Sequence, residues 1–193
     1  MIRPRRLIGL ALAALGLLLV AQGGWVHAKA ALAQVLLERA FARSLETGHP
    51  ERPWPWADTW PEARIEIPRL GLSQIVLAGD SGQALAFGPG HVPGTPEPGA
   101  PGAAVYAAHR DTHFRALEGV AAGDLIRVVR RDGQAHAFRV SGTEVVRWDA
   151  SGIEPGQPGR ELVLATCWPF GAVTPGPLRF IVHAEFLEPG SAL

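Results

Sequence analysis

Glycine and proline limit what this chain can fold into more than any other feature. There are 23 glycines and 17 prolines among 193 residues, so about a fifth of all positions break regular structure or favour a turn. Beyond the N-terminus, the segments between these breaks are short and apolar. Such a chain folds as many short strands joined by turns. Its length allows one domain of ordinary size plus an appendage, not two full domains. Hydrophobic residues make up 47% and charged residues 19%, which excludes a disordered chain. The 18 basic residues balance 18 acidic ones, so the cationic face that a duplex nucleic-acid binder needs is absent.

The appendage is N-terminal. Leu7 to Val20 is apolar or glycine throughout, and Arg3, Arg5 and Arg6 stand directly before it. Arginines in that position stay on the cytoplasmic side and send the rest of the chain across the membrane. Continued to Val26, the run gives about twenty residues, or ~30 Å of helix, enough for an uncleaved single-pass anchor. The other reading is a signal peptide with its core at Leu7 to Ala21 and a small-x-small cleavage site at Ala28-Lys29-Ala30. Both export the remainder of the chain. Division of the sequence gives a transmembrane signal-anchor at 1–26, a helical stalk and Trp/Pro-rich strap at 27–61, and a β-barrel at 62–193.

Ala28 to Ser44 reads as a helix of good formers, with Leu32, Leu36 and Ala40 on one face, Val35 and Leu37 flanking, and Gly48 and Pro50 ending it. It is expected to be a stalk continuing the anchor or a first helix packed on the domain. From Pro53 to Pro61 the chain holds three of its six tryptophans, with prolines spaced to forbid helix. Tryptophans can mark a membrane interface; the reading adopted is a strap packed on the barrel.

After Pro61 the period becomes two. Ala63, Ile65 and Ile67 alternate with polar residues, and Leu72 to Leu77 is a second strand. A Gly/Pro loop fills Gly88 to Gly102. Ala103 to Ala108 and Leu162 to Ala165 are apolar on both faces, as buried strands are. Leu125 to Arg130 and Ala135 to Val146 flank Arg131-Asp132-Gly133-Gln134, a hairpin signal. Leu178 to Leu187 is the last strand. The fold class is all-β: seven or eight short strands, most economically closed into a barrel that removes unpaired edges.

Cys167 is the only cysteine, so there is no disulfide framework and no Cys-rich zinc site. It directly follows a buried strand, in the run Val163-Leu164-Ala165-Thr166-Cys167-Trp168-Pro169-Phe170. A lone cysteine is often a small buried hydrophobe, but an unpaired thiol in an exported protein also reads as a reactive group. A thiol nucleophile needs help to form its thiolate and a proton donor for the leaving group. Of seven histidines, His27 and His49 lie in the stalk region, His91 in the Gly/Pro loop, His136 on a hairpin strand and His183 on the last strand. His109 and His113 remain, and His109 ends its buried strand as Cys167 ends its own. Arg179 shares a face of the last strand with Ile181 and His183, where a guanidinium can stabilise an oxyanion or simply meet solvent. No clustered donors suggest a metal, and no cofactor is expected.

Taken together, Ala108-His109-Arg110-Asp111-Thr112-His113-Phe114, Leu164-Ala165-Thr166-Cys167 and Arg179 twelve residues later resemble the sortase family of cysteine transpeptidases, over about 130 residues from Ala63 to Leu187. The family's signature Thr-Leu-x-Thr-Cys stands here with Val163 in place of its first threonine. The Trp/Pro strap, the Trp-Pro-Phe after the cysteine and the Pro-Gly-Pro-Leu-Arg run look most like sortases of Gram-negative proteobacteria. The resemblance implies a sortase-like barrel, with Cys167 as nucleophile, His109 as proton donor and Arg179 as oxyanion holder. It also implies Thr166 and Trp168 at the substrate, an exported partner protein with a C-terminal sorting signal, and an amine acceptor. Placement would be in the inner membrane with the barrel on the periplasmic side. Two alternatives stand beside it: an exported thiol hydrolase or peptidase, and a non-catalytic β-barrel scaffold with a vestigial triad. Papain-like enzymes reverse the Cys/His order, and the Ser-x-Gly-Cys of L,D-transpeptidases is absent.

Overall fold

A computed structural model describes residues 4–188; Arg3 of the basic flank and positions 189–193 at the end of the expected barrel domain lie outside them. One unbroken helix, α1 (Pro4–Thr47), opens the chain, about 66 Å long at 1.5 Å per residue. It is the one helix among the described residues that is long and apolar enough to cross a membrane. Leu12, Leu15 and Leu17 to Val20 are all exposed.

The C-terminal part of α1 packs on the barrel. Ala33, Leu37, Ala40, Phe41 and Ser44 are buried, a stripe with the three-and-four spacing of a helix face. This face is rotated from the expected one, since Leu32 and Val35 are exposed. The bulky pair Leu37 and Phe41 seats against Ile75 and Leu77, and small Ala33 and Ala40 share that face. Glu38 pairs with Arg64, whose guanidinium lies 5.5 Å from the Phe41 ring centroid. Gln34 Nε2 donates to the Phe87 carbonyl at 2.8 Å. The segment therefore continues the apolar helix and also packs on the domain. The strap that follows is held by Trp54, edge-on to Phe87 at 5.0 Å, and by Thr59 Oγ1 donating to the Ala78 carbonyl at 2.7 Å. Trp56 stays exposed.

Eight strands close into a barrel. They are β1 (Pro61–Ile67), β2 (Leu72–Ala78), β3 (Gly90–His91), β4 (Gly102–Ala107), β5 (Leu125–Arg130), β6 (Ala135–Arg147), β7 (Arg160–Cys167) and β8 (Leu178–Leu187). A single helical turn, α2 (Gly82–Leu85), lies between β2 and β3. The order around the barrel is β1-β2-β3-β4-β7-β8-β6-β5. β2–β3 and β4–β7 are parallel and the other pairs antiparallel. Alternation sends Ile65, Ile67, Tyr106, Phe138, Leu162, Leu164 and Val182 into one interior core. The opposite faces of β4, β7 and β8 are also covered: Ala103, Val105, Val163 and Ile181 pack beneath Val92, Val146 and Ile153. That second layer explains why β4 and β7 read as apolar on both faces.

The Asp132-Gly133 turn joins β5 to β6, with Gly133 at φ 80° and Asp132 Oδ1 accepting from the Gln134 amide at 3.0 Å. β3 lies inside the expected Gly/Pro loop and was not readable as a strand. Two residues carry no period, yet they bridge β2 and β4 and so complete the barrel. Gly90 permits this, because a Cβ there would stand 2.2 Å from the Gly79 carbonyl oxygen.

Two histidines are tied to carboxylates on the barrel's outside. His183 Nδ1 lies 2.6 Å from Glu161 and its Nε2 3.0 Å from Glu144, and His91 Nδ1 lies 2.8 Å from Glu62. Burial disfavours the charged His183 ring, but hydrogen bonds to Glu144 and Glu161 outweigh it and raise the pKa above the ordinary 6.5. A raised folded-state value gives stability that is complete below 6.5 and lost as pH rises through the raised value. The His183→Gln variant is therefore expected to lose part of the fall in Tm seen in the parent as pH rises above neutrality. An identical pH dependence in both proteins would show that the two pairs add nothing.

Candidate active site

The register of three neighbouring strands builds the site. β4 and β7 run parallel with Ala107 opposite Ala165, and the Ala108 amide donates to the Ala165 carbonyl at 3.1 Å. Two residues further on stand His109, on the turn just past the end of β4, and Cys167, the last residue of β7. β8 runs antiparallel on the far side of β7, with Arg179 directly opposite Cys167. Cys167 is thus flanked by His109 and Arg179 on adjacent strands about 5 Å apart. All three line one cavity of about 440 Å³. Its walls include Leu85, Trp148, Ser151, Ile153 and Ile181, most of them apolar.

His109 is exposed, Cys167 half-buried. The Arg179 guanidinium is anchored at one end, where Nη1 donates to the carbonyls of Gly176 (3.0 Å) and Leu178 (2.8 Å). Its Nε and Nη2 have no protein partner among the described residues. His113, the other candidate histidine, turns away: its Nδ1 lies 3.2 Å from Gln74 Oε1. Burial lowers its pKa below 6.5, opposed by a hydrogen bond from the ring to the Ala86 backbone carbonyl and helped by the charge of His109, so its neutral form is favoured.

Of the two residues expected at the substrate, Thr166 is among those lining the cavity and Trp168 is not. Thr166 faces the interior, is buried, and donates its hydroxyl to the Ala108 carbonyl at 2.8 Å. That bond ties the end of β7 to the residue before His109. Trp168 stacks on Phe180 at 5.6 Å and meets Phe170 edge-on, and it is not among the residues lining the cavity.

A sequence model of the sortase domain matches residues 65–187. The chain belongs to the sortase family. Sortase D of Bacillus subtilis (strain 168) is 30% identical over 122 residues, covering 63% of this chain and 61% of that protein; this sortase therefore spans about three fifths of its relative's length. The structure of sortase C-1 from Actinomyces oris superposes with a TM-score of 0.60 at 26% identity, covering 67% of this chain and 75% of the other. That of sortase A from Corynebacterium diphtheriae gives 0.62 at 24% identity, covering 70% and 65%, a likeness of fold.

Sequence reasoning quoted Arg110 but gave it no role. Its guanidinium is only 7% exposed. Nε and Nη2 fork onto the Asp111 carboxylate at 2.9 and 3.1 Å, Nη1 donates to the Pro169 carbonyl at 2.6 Å, and Nη2 donates to that of Ala172 at 2.5 Å. In this sortase Arg110 therefore staples the turn after His109 to the loop after Cys167. On the same turn, Phe114 is buried in the core and its amide donates to the His109 carbonyl at 3.1 Å. Arginine partners some sixty residues away leave no local mark in the sequence. Arg110→Lys keeps the charge yet cannot reach all three partners. It should lower reactivity at Cys167 by ~10- to 100-fold, the cost of misplacing reacting groups by about an ångström, with little change in Tm. Unchanged alkylation of the thiol and unchanged turnover would show that the staple does not position the site.

Proposed function

We propose that this sortase is a membrane-anchored cysteine transpeptidase. It cleaves a C-terminal sorting signal of an exported protein and passes the acyl group to an amine. The observation that carries the reading is the convergence of one thiol, one imidazole and one guanidinium, from the ends of three adjacent strands, on a single cavity.

Each group has a role that its surroundings suit. Cys167, as thiolate, attacks a backbone carbonyl of the substrate, and negative charge develops on the carbonyl oxygen. The Nε–H and Nη2–H donors of Arg179 face no competing protein acceptor and stabilise that oxyanion. As the C–N bond breaks, protonated His109 gives its proton to the departing amine, leaving a thioester on Cys167 and a neutral imidazole. The incoming amine attacks the thioester, His109 takes back a proton, and the new amide leaves with Cys167 restored as thiolate. Water in the amine's place gives hydrolysis instead. The apolar walls limit water at the thioester and strengthen the charge interactions around it. Thr166 holds the His109-bearing strand end, and Trp168 supports the loop that borders the peptide.

The basic flank at Arg3, Arg5 and Arg6 and the exposed apolar length of α1 support a single-pass inner-membrane anchor with the barrel on the extracytoplasmic side. The Trp/Pro strap and Trp168-Pro169-Phe170 support the Gram-negative proteobacterial subgroup, for which that side is the periplasm.

Incubating the protein with exported proteins of the producing cell and reading the enzyme's intact mass tests the proposal. A mass increment on Cys167 that hydroxylamine releases is expected, and Cys167→Ala should show none. Arg179→Ala should slow acylation by ~10²–10³-fold and His109→Ala by ~10²–10⁴-fold. Full activity in either variant would overturn the role assigned to it.

A further inference from the structure

The strand directions determine where the catalytic end of the barrel lies relative to α1. β2 is parallel to β3 (Leu77 opposite Gly90), and β3 is antiparallel to β4 (Gly90 opposite Ala107). β2 and β4 thus run in opposite senses, and the start of β2 lies at the same barrel end as the finish of β4, where His109 stands. His113 meeting Gln74 near the start of β2 confirms this level.

α1 lies along β2. Leu37 and Phe41 contact Ile75 and Leu77. Nearer its N-terminus, Lys29, Ala30, Ala31 and Gln34 line a cavity of about 740 Å³ together with Gln74, Thr112 and His113. The helix therefore passes the barrel at its catalytic end and projects beyond it. Four residues before Lys29, about 6 Å along the axis, stands exposed Trp25, with the Lys29 ammonium 5.0 Å from its ring centroid. A tryptophan joined to a lysine at the end of an apolar stretch is the pattern of a bilayer interface. The exposed leucines lie on its far side. Two large apolar side chains, Trp148 and Val173, are also exposed at this end, 63% and 99%, where a lipid interface would shelter them.

We infer that the catalytic end of the barrel faces the lipid surface. The partner of the turn from His109 to Gly119 is the headgroup layer of the membrane that holds α1, and the β5–β6 hairpin points away from it. With the Lys29 level beside Thr112 and His113, the turn stands within about 10 Å of the interface, against roughly 30 Å or more for Asp132 at the other end of strands this long. A peptide reaching Cys167 must then enter through a layer only a few residues deep. The inference rests on the proposed membrane anchor, and its test separates the two.

The full chain carrying Cys167→Ala receives one new thiol at exposed Glu118 or at Asp132, each labelled with a small fluorophore. It is reconstituted in phosphatidylcholine/phosphatidylglycerol vesicles containing a headgroup-attached nitroxide. Strong quenching at 118 and little at 132 is expected, and Arg115→Cys should repeat the result at 118 if that variant folds poorly. Inserting seven residues after Val26, about two helical turns or ~10 Å, should relieve the quenching. Protein that floats with the vesicles but is quenched equally at both ends, or more at 132, overturns the orientation and leaves the anchor standing. Protein that does not float overturns the anchor and, with it, the orientation.

Discussion

The in-register parallel pairing of β4 with β7 is the constraint on which the rest of the site depends. His109 and Cys167 are far apart in sequence, and this pairing is what sets their two strands side by side. Ala107 opposite Ala165 is what brings two strand ends, each two residues on, to the same level. A slip of one residue in either strand would turn its functional side chain into the core. Parallel neighbours need a long connection, and here that connection carries the β5–β6 hairpin, whose longer strand then pairs with β8. The segment that makes the parallel pair possible thereby also seats Arg179 opposite Cys167.

Rigidity follows from covering the same three strands on both faces. Inside, Ala104, Tyr106, Leu162, Leu164 and Val182 belong to the main core. Outside, Ala103, Val105, Val163 and Ile181 lie under Val92, Val146 and Ile153. A sheet buried twice over has little freedom to breathe, so groups at its ends inherit a fixed backbone. Two polar contacts extend that order past the last ladder hydrogen bond: Thr166 onto the Ala108 carbonyl, and Arg110 onto the carbonyls of Pro169 and Ala172. Both cross between the His109 and Cys167 elements, so movement of one is transmitted to the other.

Much of this was legible in the chain. The two-residue period gave β1, β5, β6 and β8 almost to the residue, and the Asp132-Gly133 pair gave the hairpin. His109, Cys167 and Arg179 stood out because each occupies a strand end or face with chemistry that its apolar neighbours do not explain. What stayed hidden was non-local. β3 has no period of its own and exists because two other strands lie beside it. The packed face of α1 is chosen by Ile75 and Leu77, which lie beyond the helix, so Leu32 and Val35 could not be told from Leu37. Arg110 is one arginine among many until the loop after Cys167 folds over it. The resemblance put Thr166 and Trp168 at the substrate; Thr166 lines the cavity while bonding the Ala108 carbonyl, and Trp168 stacks on Phe180 beside it, contacts that no local pattern announces.

Exposure is graded across the site, from buried Thr166 through half-buried Cys167 to exposed His109, and the grading suits two-step acyl transfer. In the proposed reaction, a nucleophile set against Ile153 and Ile181 would meet its substrate away from bulk water, which would keep the developing charge with Arg179 and slow loss of the thioester to hydrolysis. The proton donor has the opposite need. In the proposed reaction it would give up a proton to one amine and accept one from another, both passing by the open side. Burying His109 as deeply as Cys167 would penalise its charged form and close that route. Exposing Cys167 as fully as His109 would open the thioester to water. Pairing β4 with β7 allows the difference, because His109 stands on the turn beyond its strand while Cys167 remains the last residue of its own.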